Sequence, residues 1–323
     1  MNQTQAKSGM KVISAFTVLC GLLVVPFGLP SNWAIADDKQ PKLDENPAVV
    51  LDVVRLKKSD VTESSGLAVS NVGKNRWWTH NDSGNKSYLY AVDNRGKATG
   101  RCRLKGIENK DWEDMASFVH DGYPRLLVAD SGNNLHKRKS IELYLLDEPN
   151  PDKKTDQKRV QVLHVTFPDQ PRDCEAIAVD TERQKVVLIT KGKLPYAVVY
   201  TIDLPKRNSR PAGDTEKIVA QKATTLSIPM VSGMDIDSKN GDVWIVNYFQ
   251  AFHFKRTAND QKLSEQFAKL PQIYSLPNWK QVEAVAVDQQ HQVWITSEGK
   301  SPPLGRLRLT RPSPTNASST VNE

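Results

Sequence analysis

The chain of 323 residues is short of the residue types that usually hold cross-links or transition metals, with 3 Cys and 6 His. Cys20 falls within the apolar N-terminal run without a convincing lipoprotein box, which leaves Cys102 and Cys174. These two are expected on strands of different repeats, too far apart to bridge. A disulfide framework is thereby excluded, and the fold has to be held by its core. A Gly-x-Ser-x-Gly nucleophile elbow is missing, as is any Ser-His-Asp order, which argues against a serine hydrolase. Glycine-rich nucleotide loops are missing too. Strands and helices do not alternate, so a parallel α/β sheet is not expected. Beyond residues 12–29 no stretch is long and apolar enough to span a bilayer. The net charge of +7 is mild. Its basic residues do not form an aromatic-interleaved stripe, so nucleic acid is not an expected partner.

The N-terminus reads as an export signal. Lys7 and Lys11 precede the apolar run, and Ala34-Ile35-Ala36 offers a small-x-small cleavage site. The expected organisation is a signal peptide over 1–36, a linker over 37–47, one domain over 48–309 and a disordered tail over 310–323. A periplasmic or secreted location follows, and the membrane is involved only if the leader stays uncleaved. The tail is too poor in apolar residues to pack, and its Asn316-Ala317-Ser318 acceptor pattern is ascribed to chance.

What the chain does have is a repeat. A small or acidic residue followed by an apolar alternation recurs at Ser65, Glu113, Glu175, Ser232 and Glu283, spaced 48, 62, 57 and 51 residues apart. Repeats of roughly 40–50 residues holding about four short strands are the signature of a β-propeller. An all-β, five-bladed β-propeller is therefore predicted, its innermost strands near 63–70, 111–118, 173–180, 232–237 and 282–288. Outer strands are expected at 99–105, 160–167, 217–226 and 266–270. The fifth repeat runs out of strands, and 48–56 is expected to supply the missing one, closing the ring with the N-terminal strand and leaving no free edge. Trp77, Trp78, Trp244 and Trp294 recur on second strands and are expected to pack between blades.

The phased position puts Ser65, Glu113, Glu175, Ser232 and Glu283 on one ring around the channel. Three carboxylates on a narrow axis raise one another's pKa unless a cation neutralises them. Oxygen donors without His or Cys suit calcium rather than zinc, and the loose geometry suits it better than magnesium. The alternative is a wet channel in which water and arginines satisfy the glutamates.

Around the same mouth the loops between second and third strands gather a polar rim. His80, Asp82, Asp111 and Asp173 are the candidate catalytic residues, and Asp130, Asn133, Asn134, Lys191, Asn247 and Lys300 the candidate ligand-binding ones. Mixed acid and base beside a cation suits an anionic small molecule, with Lys as phosphate donor and a carboxylate polarising water. The same Asp-Ser-Gly and Asn-Asp-Ser-Gly segments are equally turn formers. His80, beside two tryptophans, reads more readily as structural than as a base.

The ordered ring Ser65, Glu113, Glu175, Ser232, Glu283 resembles that of the calcium-activated nucleotidases, the secreted apyrases. That resemblance implies a five-bladed propeller with calcium in its channel, these residues as ligands, and Asp82 near the family's acidic second-strand loop. The family's acidic cluster on the N-terminal strand is reduced here to Asp52, and its basic substrate clamps have no clear counterpart. The segments Ser64-Ser65-Gly66-Leu67-Ala68, His80-Asn81-Asp82-Ser83-Gly84, Asp111-Trp112-Glu113-Asp114-Met115-Ala116 and Asp130-Ser131-Gly132-Asn133-Asn134 are similar to those of a family of secreted bacterial propellers of unassigned activity. The resulting expectation is an exported, monomeric, calcium-binding scaffold whose rim takes an anionic small molecule or a cell-envelope partner. The alternative is a calcium-dependent hydrolase of phosphoanhydrides or phosphoesters. A glycosidase is the lesser option and would need two metal-free carboxylates about 5–9.5 Å apart, a role open to Glu63, Asp111 and Asp173.

Overall fold

A computed structural model describes residues 49–57, 61–191, 195–207 and 215–309. The expected signal peptide, linker and tail lie outside these residues. Strand β1 (Val49–Arg55) opens the described chain, and five sheets built mainly by antiparallel pairing follow as blades. Blade one holds β2 (Gly66–Val69), β3 (Arg76–His80), β4 (Tyr88–Asp93) and β5 (Ala98–Leu104). Blade two holds β6 (Trp112–His120), β7 (Tyr123–Asp130), β8 (Ile141–Asp147) and, after β9 (Lys154–Gln157), β10 (Gln161–Thr166). Blade three holds β11 (Cys174–Asp180), β12 (Lys185–Thr190), β13 (Ala197–Asp203) and, after β14 (Thr215–Val219), β15 (Gln221–Leu226). Blade four holds β16 (Val231–Ile236), β17 (Val243–Asn247), β18 (Gln250–Phe254) and, after the short helix α1 (Leu263–Phe267), β19 (Gln272–Ser275). Blade five holds β20 (Val282–Val287), β21 (Val293–Ser297) and β22 (Pro303–Arg308), and β1 completes it.

The innermost strands pack in cyclic order, β2 against β6, β11, β16, β20 and back to β2. This is the expected five-bladed propeller, closed by the N-terminal strand through antiparallel pairing of β1 with β22. Beyond β1 the chain crosses to the first blade, where Lys57 N donates to Gly96 O at 2.8 Å. Gly96 is required there: its φ is +72°, and a Cβ would stand 2.1 Å from Arg55 O. The four tryptophans pack as expected. Trp77 of blade one and Trp294 of blade five meet with ring centroids 4.6 Å apart at the closure. Cys102 and Cys174 are free and buried in different hydrophobic clusters.

Two expectations about the outer strands are corrected. The segment 217–226 is not one strand: β14 pairs in parallel with β10 of blade two, and only β15 completes blade three. Similarly β9 pairs in parallel with β5 of blade one. In both cases the connection between the third and outer strands of one blade lends a fifth strand to the preceding blade, covering its edge. The segment 266–270 is not a strand either. Leu263 and Phe267 recur at i, i+4 on one helical face and are buried, so this stretch forms α1, and β19 supplies the outer strand.

Candidate metal centre and adjoining cleft

Four of the five phased residues owe their direction to a backbone irregularity; Ser65 precedes β2, whose pairing is regular. Pairing of β6 with β7 skips Glu113, that of β11 with β12 skips Glu175, that of β16 with β17 skips Ser232, and that of β20 with β21 skips Glu283. A bulge inserts one extra residue, twists the strand and re-aims its side chain. Four blades thus use the same device at the same level of the channel. Second strands end beside the starts of these inner strands: Ser131 N and Gly132 N donate to Asp111 O, and Lys191 N to Asp173 O, all at 3.1 Å. The loops that follow therefore stand on the channel mouth.

The ring separates by chemistry. Ser65 Oγ donates to Glu113 O at 2.9 Å and Ser232 Oγ to Val282 O at 2.8 Å. Ser131 Oγ does the same to Cys174 O at 2.7 Å. These serines tie consecutive blades together. The glutamates are buried and crowded. Burial and then the charges of Glu175, Asp82 and Asp111 hold the Glu113 carboxyl well above the usual range. Burial, with Glu298 and Glu175 adding to it, pushes Glu283 up to about 8. Glu175 is raised to about 7 by burial, although Lys191 Nζ stands 3.0 Å from its Oε2 and opposes the shift. Its Oε1 is buried with no hydrogen-bond partner among the described residues.

Ligand atoms of Asp82, Asp111 and Glu113 all lie within 4.8 Å of one another. Asp111 is pushed up to about 6 by burial, then by Asp82 and Asp173. Asp82 is raised by burial and by Glu298, although the amide of Ser83 opposes this. Asn109 holds the Asp82 loop in place, its Nδ2 donating to Asn81 O at 3.1 Å and Asp82 O at 2.9 Å. Gly132 closes the site from the side: a Cβ there would lie 2.2 Å from Glu113 Oε1 and 2.4 Å from Asp111 Oδ2. Hard oxygen donors, mutual repulsion and a backbone pressed against two carboxylates fit a divalent cation. The acidic group that could hold a metal ion therefore joins Glu113 of the expected ligand ring to Asp82 and Asp111 of the expected catalytic set.

Solved structures of other proteins align with much of the chain at low similarity. A glucose dehydrogenase aligns over 80% of this chain and 99% of its own, at 7% identity and a TM-score of 0.46. A second glucose dehydrogenase gives 8% identity over the same shares and a TM-score of 0.47. A gluconolactonase from Xanthomonas campestris aligns over 82% of this chain and 98% of its own, with 12% identity and a TM-score of 0.42. Similarity this distant carries no argument about this chain. No protein-family model matches the sequence and no curated protein is similar to it, so neither comparison supports the nucleotidase likeness.

The remaining predicted site residues separate into those facing the mouth and those spent on the loops. Asp173 accepts from Asn133 N at 2.6 Å and lines a cleft of about 630 Å³ over blades two and three, together with Asn134, Arg172 and Lys191. Asp130 is fully buried, bonded to Arg138 Nη1 at 2.6 Å and Lys110 N at 3.1 Å. The Asn133 side chain binds Arg138 N and O, both at 2.9 Å. Asn247 Oδ1 accepts from Phe249 N and Gln250 N at 2.9 and 2.7 Å. These three act as turn formers, the second meaning the sequence allowed. Lys300 is exposed. His80 is fully buried, packs edge-on against Trp112 with centroids 5.5 Å apart, and is pushed down to about 4 by burial. That placement gives it a structural part as a neutral ring. Asp52 lies on the outermost strand of blade five, paired with Arg306.

Sequence reasoning missed a second carboxyl layer deeper in the channel. Asp114 is fully buried and accepts from Met115 N at 2.8 Å, Ile177 N at 2.9 Å and Met234 N at 3.3 Å, joining blades two, three and four. Asp235 accepts from Val287 N at 2.7 Å and Ile236 N at 2.8 Å. The available signal was an acid one or three places beyond the phased position, inside an otherwise apolar strand.

Proposed function

We propose that the protein is a divalent-cation-binding propeller whose ion, calcium by chemistry, sits at the channel mouth on Asp82, Asp111 and Glu113 and anchors an anionic ligand. The convergence of those carboxylates within 4.8 Å carries the reading. Crowded acids repel one another and lose solvation, and a cation with six to eight oxygen ligands reverses both costs. Glu175 and Glu283 of the original ring are close enough to shift with this trio and supply further oxygens or field. Ser65 and Ser232 can offer lone pairs while their protons stay on backbone carbonyls. Binding is the primary role. Hydrolysis of phosphoesters is a second reading, supported by Asp173, a carboxylate outside the trio that lines the adjoining cleft and would there polarise water.

Calorimetric titration of chelator-treated protein with calcium tests the cation. One saturable site in the wild type, lost in Asp111→Asn combined with Glu113→Gln, is expected. Equal heats in both proteins would reject it. Release of phosphate from p-nitrophenyl phosphate, abolished by Asp173→Asn with calcium binding intact, would establish the hydrolytic reading; no release would leave binding as the role.

A further inference from the structure

Beside the acidic mouth, the cleft of about 630 Å³ is lined by Asn134, His136, Gln170, Arg172, Lys191 and Tyr196, with Asp173 at the channel side. Three sequence-distant stretches contribute to it: Asn134 and His136 after β7, residues 170–173 before β11, and Thr190, Lys191, Tyr196 and Val198 at the facing ends of β12 and β13. Its size suits a small organic molecule. Its cations are held but not used up. Arg172 pairs with Asp169 through Nη2 and also bonds Tyr200, and Lys191 pairs with Glu175 and also bonds Tyr248, which leaves each at least one further N–H donor. The wall differs from the acid cluster in having an apolar side. Tyr196 is 56% exposed at the opening, where its ring offers an apolar face to a molecule in the cleft.

We propose that this cleft binds a small phosphomonoester with a hydroxylated body, its phosphate lying between the channel-mouth cation and the donors of Lys191, Arg172 and His136. The inference rests on the cation reading above. With a divalent ion on Asp82, Asp111 and Glu113, most of the carboxylate charge there is offset, and the ion together with Lys191, Arg172 and His136 faces the cleft with positive charge and N–H donors. A phosphate dianion gains from several separate donors at once, more than a monoanionic carboxylate does. The amides of Asn134 and Gln170 match hydroxyl groups, and the Tyr196 ring matches the C–H face of a sugar or polyol.

Calorimetry with glucose 6-phosphate, inorganic phosphate and glucose, each in calcium and in chelator, tests this. In calcium, glucose 6-phosphate binds, inorganic phosphate binds more weakly and glucose does not. Lys191→Met weakens glucose 6-phosphate by about tenfold, the ordinary worth of a charge-assisted hydrogen bond, and Lys191→Arg restores most of it. Because Lys191→Met also strips Glu175 of its partner, Tyr196→Ala provides the control at an exposed position: it weakens glucose 6-phosphate severalfold and leaves inorganic phosphate unchanged. No heat from either phosphate up to about 10 mM, in a protein that binds calcium, overturns the cleft and spares the cation. Glucose 6-phosphate binding in chelator, lost in Tyr196→Ala, upholds the cleft and removes the cation from the ligand's site. Equal binding of glucose and its phosphate overturns the phosphate assignment.

Discussion

Glu113 and Asp114 are neighbours on one strand, and their carboxyls are held in opposite ways. Glu113 occupies the bulge and faces Asp82, Asp111 and Glu175, all acids. Asp114 turns into the channel and accepts three backbone N–H groups from blades two, three and four. Both carboxyls are raised by burial. The difference lies in the donors. Below the mouth, inner strands supply N–H groups and the carboxyl becomes a clasp between blades. At the mouth the bulges turn carboxyls toward one another, where protons, Lys191 or a bound cation would relieve their repulsion. One layer ties blades together through backbone N–H groups, and the other is the layer proposed to bind.

The largest effect that sharpens this contrast is expected at the clasp. Asp114→Ala strands three buried N–H donors and should cost about 3–5 kcal/mol, read as a lower urea midpoint. Its calcium affinity should change little if the protein still folds. The mouth should respond with the opposite sign. Asp111→Asn with Glu113→Gln removes repulsion, so in chelator at pH 8 its melting temperature should exceed that of the wild type, while the rise produced by calcium disappears. A double variant that melts below the wild type in chelator would show that these acids stabilise the ring without an ion.

Much of this was written in the chain. The phased residues revealed blade number, channel level and closure, because a propeller repeats its inner strand and a bulge keeps its place. The fifth strands β9 and β14 were not legible, since parallel pairing to an outer edge leaves no alternation of its own, and a polar stretch such as Lys154–Gln157 reads as a loop. Helix α1 was hidden by its single turn and a half. At the site, the glutamates were legible, but their division from the serines was not. A serine that caps a neighbouring carbonyl and one that ligates an ion look alike in sequence. Asp130, Asn133 and Asn247 likewise carried two meanings, and only their hydrogen bonds showed that the loops use them.

Smaller effects bear on the walls of the mouth. Gly132→Ala places a methyl against Glu113 Oε1 and Asp111, and is expected to weaken calcium about tenfold by calorimetry, with a minor loss of stability. Ser65→Ala should be the mildest, costing about 1 kcal/mol for one hydrogen bond to Glu113 O. Calcium affinity within about twofold of the wild type would mark Ser65 as a tie between blades, whereas a tenfold loss would return it to the ligand set.

The central claim is tested most directly by thermal unfolding from pH 5 to pH 8, in chelator and in saturating calcium. Asp111, Glu175 and Glu283 have folded values raised to about 6, 7 and 8. The folded state therefore holds more protons than the unfolded chain, and stability falls as pH rises from the ordinary carboxylate range through those values. Asp235, raised to about 7 without touching the mouth, adds a decline that calcium leaves alone. The expected result is a melting temperature that drops by roughly 5–10 °C across this range in chelator, most of it recovered by calcium, with the gain largest at pH 8. Superimposable curves with and without calcium at every pH would contradict the cation site.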